Sequence, residues 1–379
     1  MYSANFLAFL FLIFVIGYKS YVAILPESVV LFVAMFAAHL AYSAGSEALS
    51  ALARTAREFV VLITVLAALK AGPLSSKTLV RVRLVIVYWA VIAVGYAALQ
   101  YVSLKLYGTA PFLPWEFYGA TGGDGSGATT LPSYWQQFAS DKNLAVAPTE
   151  GADVKIRPVA FYSEPSYLGF MLTAAFYVFT KLTDDDTQKL KFFILCIAGC
   201  VLAETASGVF SLSILFMSYG GAKVFRKKRN LLYAVLCGCG VLYVVLRFSG
   251  RLIGAVDGGD TSSYSRLVTP LYNLYEVIFG GYIFGVPSYF LPEVLGFDAD
   301  FTDTATFGGD NGLINILCYY GLGGVLIILL ILKKAREAFL LFLLVGMFNG
   351  SLLGFDKGFI LGAVLLLTRS YKYRKAASL

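Results

Sequence analysis

Apolar residues in this chain run in long blocks, with the polar positions gathered between them. A membrane-crossing helix needs about 20 mostly apolar residues, fewer when the helix is short. On that criterion the pattern predicts spans at 3–18, 24–44, 58–72, 84–104, 164–182, 192–206, 208–222, 231–247, 311–332, 338–353 and 357–369. The expected fold is an all-α polytopic membrane protein with eleven transmembrane helices in a single domain, 1–379. The first apolar run lacks a basic leader and a small-residue cleavage site, so it reads as a span and not a signal peptide. Two long segments, 105–163 and 248–310, stand between spans, and no internal repeat is visible.

Composition supports this pattern. Apolar residues make up 58% of the chain and charged residues only 14%, against about 25% charged in a soluble domain. Soluble enzymes and disordered chains are excluded on this basis. The net charge of +7 raises the question of nucleic acid, but in a polytopic chain the first question is which side holds the positive charge. Lys77, Arg81 and Arg83, then Lys189 and Lys191, then Lys223 to Arg229, then Lys333, Lys334 and Arg336, and finally Lys372, Arg374 and Lys375 all fall on one side of an eleven-span topology. The positive-inside rule makes that side cytoplasmic. Both long loops then lie outside, the N-terminus is external, and Arg54 and Arg57 are external with it. The second loop has only Arg251 and Arg266 against eight acidic residues. No nucleic-acid partner is expected.

The five cysteines and His39 all sit in apolar runs, so neither a disulfide framework nor a zinc site is expected. Asp184-Asp185-Asp186 mimics a metal-binding Asp-x-Asp motif but lies in a short cytoplasmic connector, where it reads as a solvated charge run. Neither metal nor cofactor is called for.

The loops carry the candidate chemistry. Residues 107–138 interleave Trp115, Tyr118, Tyr134 and Trp135 with the glycine-rich stretch 122–127, either an interfacial aromatic belt or a platform on which sugars stack. In the second loop Leu267, Leu271, Leu274 and Ile278 recur at helical spacing opposite Arg266, Thr269, Asn273 and Glu276. This predicts an amphipathic helix lying on the outer membrane surface or capping the bundle. The stretch from Arg157 to Gly169 holds Ser163 as a helix cap, Pro165 in the first turn, and Glu164 and Ser166 beside it. An outward-facing helix N-terminus favours an anion, and Arg157 just upstream offers a bidentate guanidinium. The alternative is that Glu164 merely complements the helix dipole and Arg157 is solvated. Asp310 and Asn311 lie where the second loop enters a span, followed by Tyr320-Gly321-Leu322-Gly323-Gly324; Asp310 reads either as chemistry or as a simple helix cap. Glu204, at the external end of two short spans, is a further candidate because ionisable groups at membrane depth are costly.

Arg157…Glu164-Pro165-Ser166…Gly169, Ser207-Gly208, Ser265-Arg266, Gly280…Gly285 and Asp310-Asn311…Gly321…Gly324 follow one another as in Wzy-type O-antigen and exopolysaccharide polymerases, which this chain resembles over about 150–335. The resemblance implies a GT-C-like glycosyltransferase of the bacterial inner membrane. It would join undecaprenyl-diphosphate-linked repeat units on the periplasmic face without a nucleotide sugar, alongside a chain-length regulator and a flippase. Related O-antigen ligases carry a histidine where this chain has Asp310, which favours polymerase over ligase. The implied site has Asp310 and Glu164 as catalytic carboxylates, with Arg157, Arg266, Arg251, Ser166 and Asn311 binding the diphosphates and glycan. A ligase, a SEDS-like glycan polymerase and a transporter of lipid-linked glycans are the competing readings. Against a transporter stand the missing repeats and the concentration of polar residues in two external loops.

Overall fold

The computed structural model describes residues 2–40, 42, 46–107, 158, 160–162, 165–218, 261–295, 311–336, 338–347 and 352–377. Every regular element among them is helical. Ten of the eleven expected spans coincide with helices; span 231–247 lies outside the described residues, as do the glycine-rich stretch 122–127 and the basic run 223–229. By length and apolarity one described helix, within Ser76–Ser103, is sufficient to cross a membrane, while Phe6–Ile16, Leu25–Leu40, Ser166–Leu182 and Ala206–Phe216 are apolar but shorter. Large apolar side chains cover much of the outside: Phe14 is 83% exposed and Val85 63%. A surface of this kind suits lipid better than water.

The chain forms two compact units, one of 1–79 with 245–379 and one of 80–244. In the second unit, helix α5 (Ser76–Tyr107) starts at Ser75, whose hydroxyl accepts from the Thr78 N–H at 3.1 Å. Ala90, Ala93, Ala97 and Gln100 form its buried stripe, and these small side chains let neighbours approach closely. Helices α6 (Pro165–Leu182), α7 (Asp186–Leu202) and α8 (Ala206–Phe216) pack around Phe176, Phe193 and Phe216, with the last two rings stacked at 4.2 Å. Asp185 caps α7, accepting from the Thr187 N–H at 2.8 Å. That bond holds its carboxyl below the usual range, so the middle of the acidic triplet has a structural task. Cys196 and Cys200 are buried within this core, and Cys318 is buried in the first unit.

The first unit contains α1 (Tyr2–Ile16), α2 (Tyr18–Val22), α3 (Leu25–Phe36) with a 3₁₀ turn at Ala37–Leu40, and α4 (Ser46–Ala68). Its later elements are α9 (Thr261–Phe279), α10 (Leu291–Val294), α11 (Gly312–Tyr320), α12 (Leu322–Lys334), α13 (Phe339–Met347) and α14 (Phe355–Ala377). Lys334 Nζ pairs with Glu27 Oε1 at 2.7 Å, and the Leu74 N–H donates to Ser370 Oγ at 3.0 Å.

Two details differ from expectation. The expected span at 311–332 is broken: Gly321, at φ +50°, separates α11 from α12. The backbone groups freed by the break find partners in the return segment after α9. Val286 N–H donates to Cys318 O at 2.8 Å, and Leu322 N–H to Ile283 O at 2.9 Å. In an apolar surrounding such groups cannot be left unpaired, so the Gly280–Gly285 return is what makes the break affordable. Helix α4 begins twelve residues before the expected span at 58, which places Arg54, Arg57 and Glu58 in its interior. Helix α9 is amphipathic as expected. Leu271 and Ile278 are exposed, while Pro270, Asn273 and Val277 are buried. Of the two expected placements, this orientation fits a stripe presented to lipid better than a cap that buries it in the bundle.

Candidate functional site

Most of the expected site residues stand at the edge of the described structure. Arg157, Glu164, Arg251 and Asp310 lie outside the described residues, and for Arg266 only the helical backbone is described. Ser166 sits half-buried in the first turn of α6, and Asn311 is buried at the start of α11.

In the second unit, the turn between Arg157 and Glu164 is anchored on α5. Gln100 Nε2 donates to Ala160 O at 2.9 Å, and the Ala160 N–H donates back to Gln100 Oε1 at 2.8 Å, both buried. This clamp holds Ala160 at φ +54°, a left-handed conformation that a residue with a Cβ seldom adopts. Tyr162 packs against Trp89, Phe161 and Tyr167. Burial pushes its phenol well above the ordinary value, with the Trp89 hydrogen bond opposing, so the group stays neutral. The motif around Gly169 meets the Ser207-Gly208 motif directly. A Cβ on Gly169 would lie 2.8 Å from Thr205 Oγ1 and 3.1 Å from Gly208 Cα. Thr205 caps α8 by accepting from the Gly208 N–H, and Glu204 occupies the tight turn before it at φ +50°. Two motifs 38 positions apart in the chain thus form one rigid contact.

In the first unit, Asn311 Oδ1 accepts from the Ile314 N–H at 3.2 Å and caps α11. The cap of this helix is Asn311. The Asn311 oxygen is committed to the helix; the residue also makes a further polar interaction.

The same unit holds a charged cluster that the sequence reading left unassigned. Glu58 is 4% exposed. Its Oε1 accepts from Arg54 Nε at 3.0 Å, and its Oε2 accepts from the Tyr320 hydroxyl at 2.6 Å. Arg54 Cζ stands 5.1 Å from the centroid of the Tyr319 ring, a cation–π arrangement. Arg57 Nη2 approaches Glu58 Oε1 at 3.6 Å. Above them, His39 Nε2 and Thr55 Oγ1 are 2.9 Å apart. Tyr320 is the last residue of α11, about 13 Å along the helix from Asn311 at 1.5 Å per residue. The cluster therefore lies well inside the unit, next to the broken helix.

A family model described as WcaD colanic acid polymerase matches residues 5–370. The chain belongs to the WcaD family. No curated protein and no solved structure matches it. The WcaD match runs through both units and contains every residue of the expected site. It agrees with the resemblance to Wzy-type repeat-unit polymerases and makes this a polysaccharide-polymerase-type chain of exopolysaccharide synthesis. The matched range also spans the Arg54–Glu58–Tyr320 cluster, which a sequence signal could have revealed. Arg54, Arg57 and Glu58 interrupt a stretch that is otherwise amphipathic at helical spacing, and starting the span at 58 left Arg54 and Arg57 outside it and Glu58 at its edge.

Proposed function

We propose that this chain polymerises undecaprenyl-diphosphate-linked oligosaccharide repeats into O-antigen or exopolysaccharide at the periplasmic face of a bacterial inner membrane. The growing glycan on its lipid diphosphate is the donor, and a fresh lipid-linked repeat is the acceptor. A hydroxyl at the acceptor's non-reducing end attacks the donor's anomeric carbon, the bond to the diphosphate oxygen breaks, and lipid diphosphate leaves. Arg157, Arg266 and Arg251 neutralise the diphosphates, the role a metal plays in many soluble transferases, within a GT-C-like membrane scaffold. Asp310 takes the hydroxyl proton, Glu164 orients Arg157, and Ser166 and Asn311 hold the glycan.

The observation that carries this reading is the WcaD match across 5–370. The geometry supports it in two places. The Gln100 clamp on Ala160 steadies the backbone beside Arg157 and Glu164, and the Asn311 cap fixes the backbone next to Asp310. Reacting groups held on rigid backbone lose less entropy on reaching the productive geometry.

Asp310→Asn keeps the shape of the side chain but cannot accept a proton. General-base removal costs about 10²–10⁴-fold, so cells carrying it are expected to accumulate single-repeat products at wild-type protein level. Normal polymer from Asp310→Asn, with none from Glu164→Gln, would transfer the base role to Glu164. Normal polymer from both variants would remove the carboxylate base from the mechanism.

A further inference from the structure

The charged cluster on α4 is unevenly satisfied. Two guanidinium groups, Arg54 and Arg57, share one buried carboxylate, Glu58. That carboxylate is already occupied: Oε1 holds Arg54 Nε at 3.0 Å and Oε2 holds the Tyr320 hydroxyl at 2.6 Å. Arg54 is further fixed over the Tyr319 ring. Arg57 reaches Glu58 only at 3.6 Å, beyond hydrogen-bond range. Its Nε is buried and has no hydrogen-bond partner among the described residues, while its side chain remains 39% exposed. One edge of this guanidinium is therefore desolvated without a partner, and the group still has access to the outside. A desolvated cation in an apolar surrounding is costly unless an anion pairs with it. The cluster as a whole carries one excess positive charge.

We infer that Arg57 is the open half of a phosphate-binding site beside the break at Gly321, with Arg54, Glu58 and Tyr320 holding the helix face that presents it. A phosphate oxygen pair matches the guanidinium fork in a bidentate manner, which an ammonium cannot reproduce. Taking the natural ligand as the diphosphate of a lipid-linked glycan rests on the polymerase reading above. The site itself does not, since it follows from the geometry of Arg57.

The test uses the full chain in phosphatidylcholine nanodiscs, wild type against Arg57→Gln and Arg57→Lys. Binding of undecaprenyl diphosphate, phosphatidylglycerol and inorganic pyrophosphate is measured by native mass spectrometry and titration, alongside thermal stability. Wild type is expected to bind undecaprenyl diphosphate, and Arg57→Gln to bind it about ten- to a hundredfold more weakly. Arg57→Lys should recover only part of the loss. Thermal stability of Arg57→Gln should fall far less than that of a Glu58 variant, because Arg57 Nε has no hydrogen-bond partner among the described residues and its Nη2 is 3.6 Å from Glu58. A drop in stability matching that of a Glu58 variant would show Arg57 to be structural and would overturn the inference. So would equal binding of undecaprenyl diphosphate by wild type and Arg57→Gln. Competition by pyrophosphate as strong as by the lipid identifies the phosphate group itself as the determinant and supports the site. Stronger Arg57-dependent binding of phosphatidylglycerol than of the diphosphate overturns the ligand assignment. The two readings fail separately. Polymerisation with Arg57-independent binding sinks this inference alone, and Arg57-dependent binding without polymerisation sinks the polymerase reading alone.

Discussion

The Tyr320 hydroxyl donates a 2.6 Å hydrogen bond to Glu58 Oε2 across 262 positions of sequence, tying the end of α11 to the interior of α4. A hydrogen bond to a buried carboxylate contributes about 1.5–3 kcal/mol. Tyr320→Phe removes it and leaves one Glu58 oxygen unsatisfied. Glu58→Gln goes further by leaving both Arg54 and Arg57 without a counter-charge, and breaking a buried pair in this way costs about 3–5 kcal/mol. Thermal unfolding in detergent should therefore rank wild type above Tyr320→Phe, and Tyr320→Phe above Glu58→Gln. A Glu58→Gln protein as stable as wild type would show that the cluster is solvated in the folded chain.

The contact between Gly169 and Gly208 makes a second ranking. A Cβ on Gly208 would lie 2.9 Å from Gly169 Cα and 2.8 Å from Cys200 Sγ, with backbone on one side that cannot move aside cheaply. Overpacking of this kind costs about 1–3 kcal/mol. Around Gly95 of α5 there is nothing within 4 Å of a new Cβ, so Gly95→Ala should gain some of the roughly 1 kcal/mol that separates the two residues in a helix. Melting temperatures of Gly208→Ala below wild type and of Gly95→Ala at or above it are expected. The reverse order would mean that α6 and α8 are not in contact.

The asymmetry of lysine and arginine between connectors predicts a sidedness. A membrane-impermeant thiol reagent applied to intact cells should label Ser126→Cys and Ser262→Cys but not Ser378→Cys. The unmodified chain is the blank, and the buried Cys196, Cys200 and Cys318 should keep its signal low. Labelling at Ser378→Cys alone would invert the topology and move the proposed chemistry to the cytoplasm.

Much of this fold is legible in the sequence because apolar blocks are a local property. Ten of the expected spans coincide with described helices, whereas Asp185, read as part of a solvated charge run, proves to be a helix cap, as does Thr205. What escaped was non-local. The break at Gly321 depends on hydrogen bonds to Ile283 and from Val286, some 35 residues away in the chain, so the hydropathy of 311–332 alone reads as one continuous span. Arg54 and Arg57 read as external residues ahead of a span because nothing in their neighbourhood names Tyr319 and Tyr320 as partners. The glycine motifs were visible as motifs, and their physical meaning, close helix contact at Gly169–Gly208 and a return loop at Gly285–Gly321, needed the structure.

The central claim is that this WcaD-family chain lengthens glycans from a lipid-diphosphate donor. Its most direct test is the purified protein reconstituted in liposomes with undecaprenyl-diphosphate-linked repeat units, with a chelator present and no nucleotide sugar. The products are resolved by gel electrophoresis and mass spectrometry. The account predicts a ladder spaced by one repeat, with release of one undecaprenyl diphosphate for each repeat added. Repeat units that remain single, or that cross the bilayer without growing longer, would contradict it.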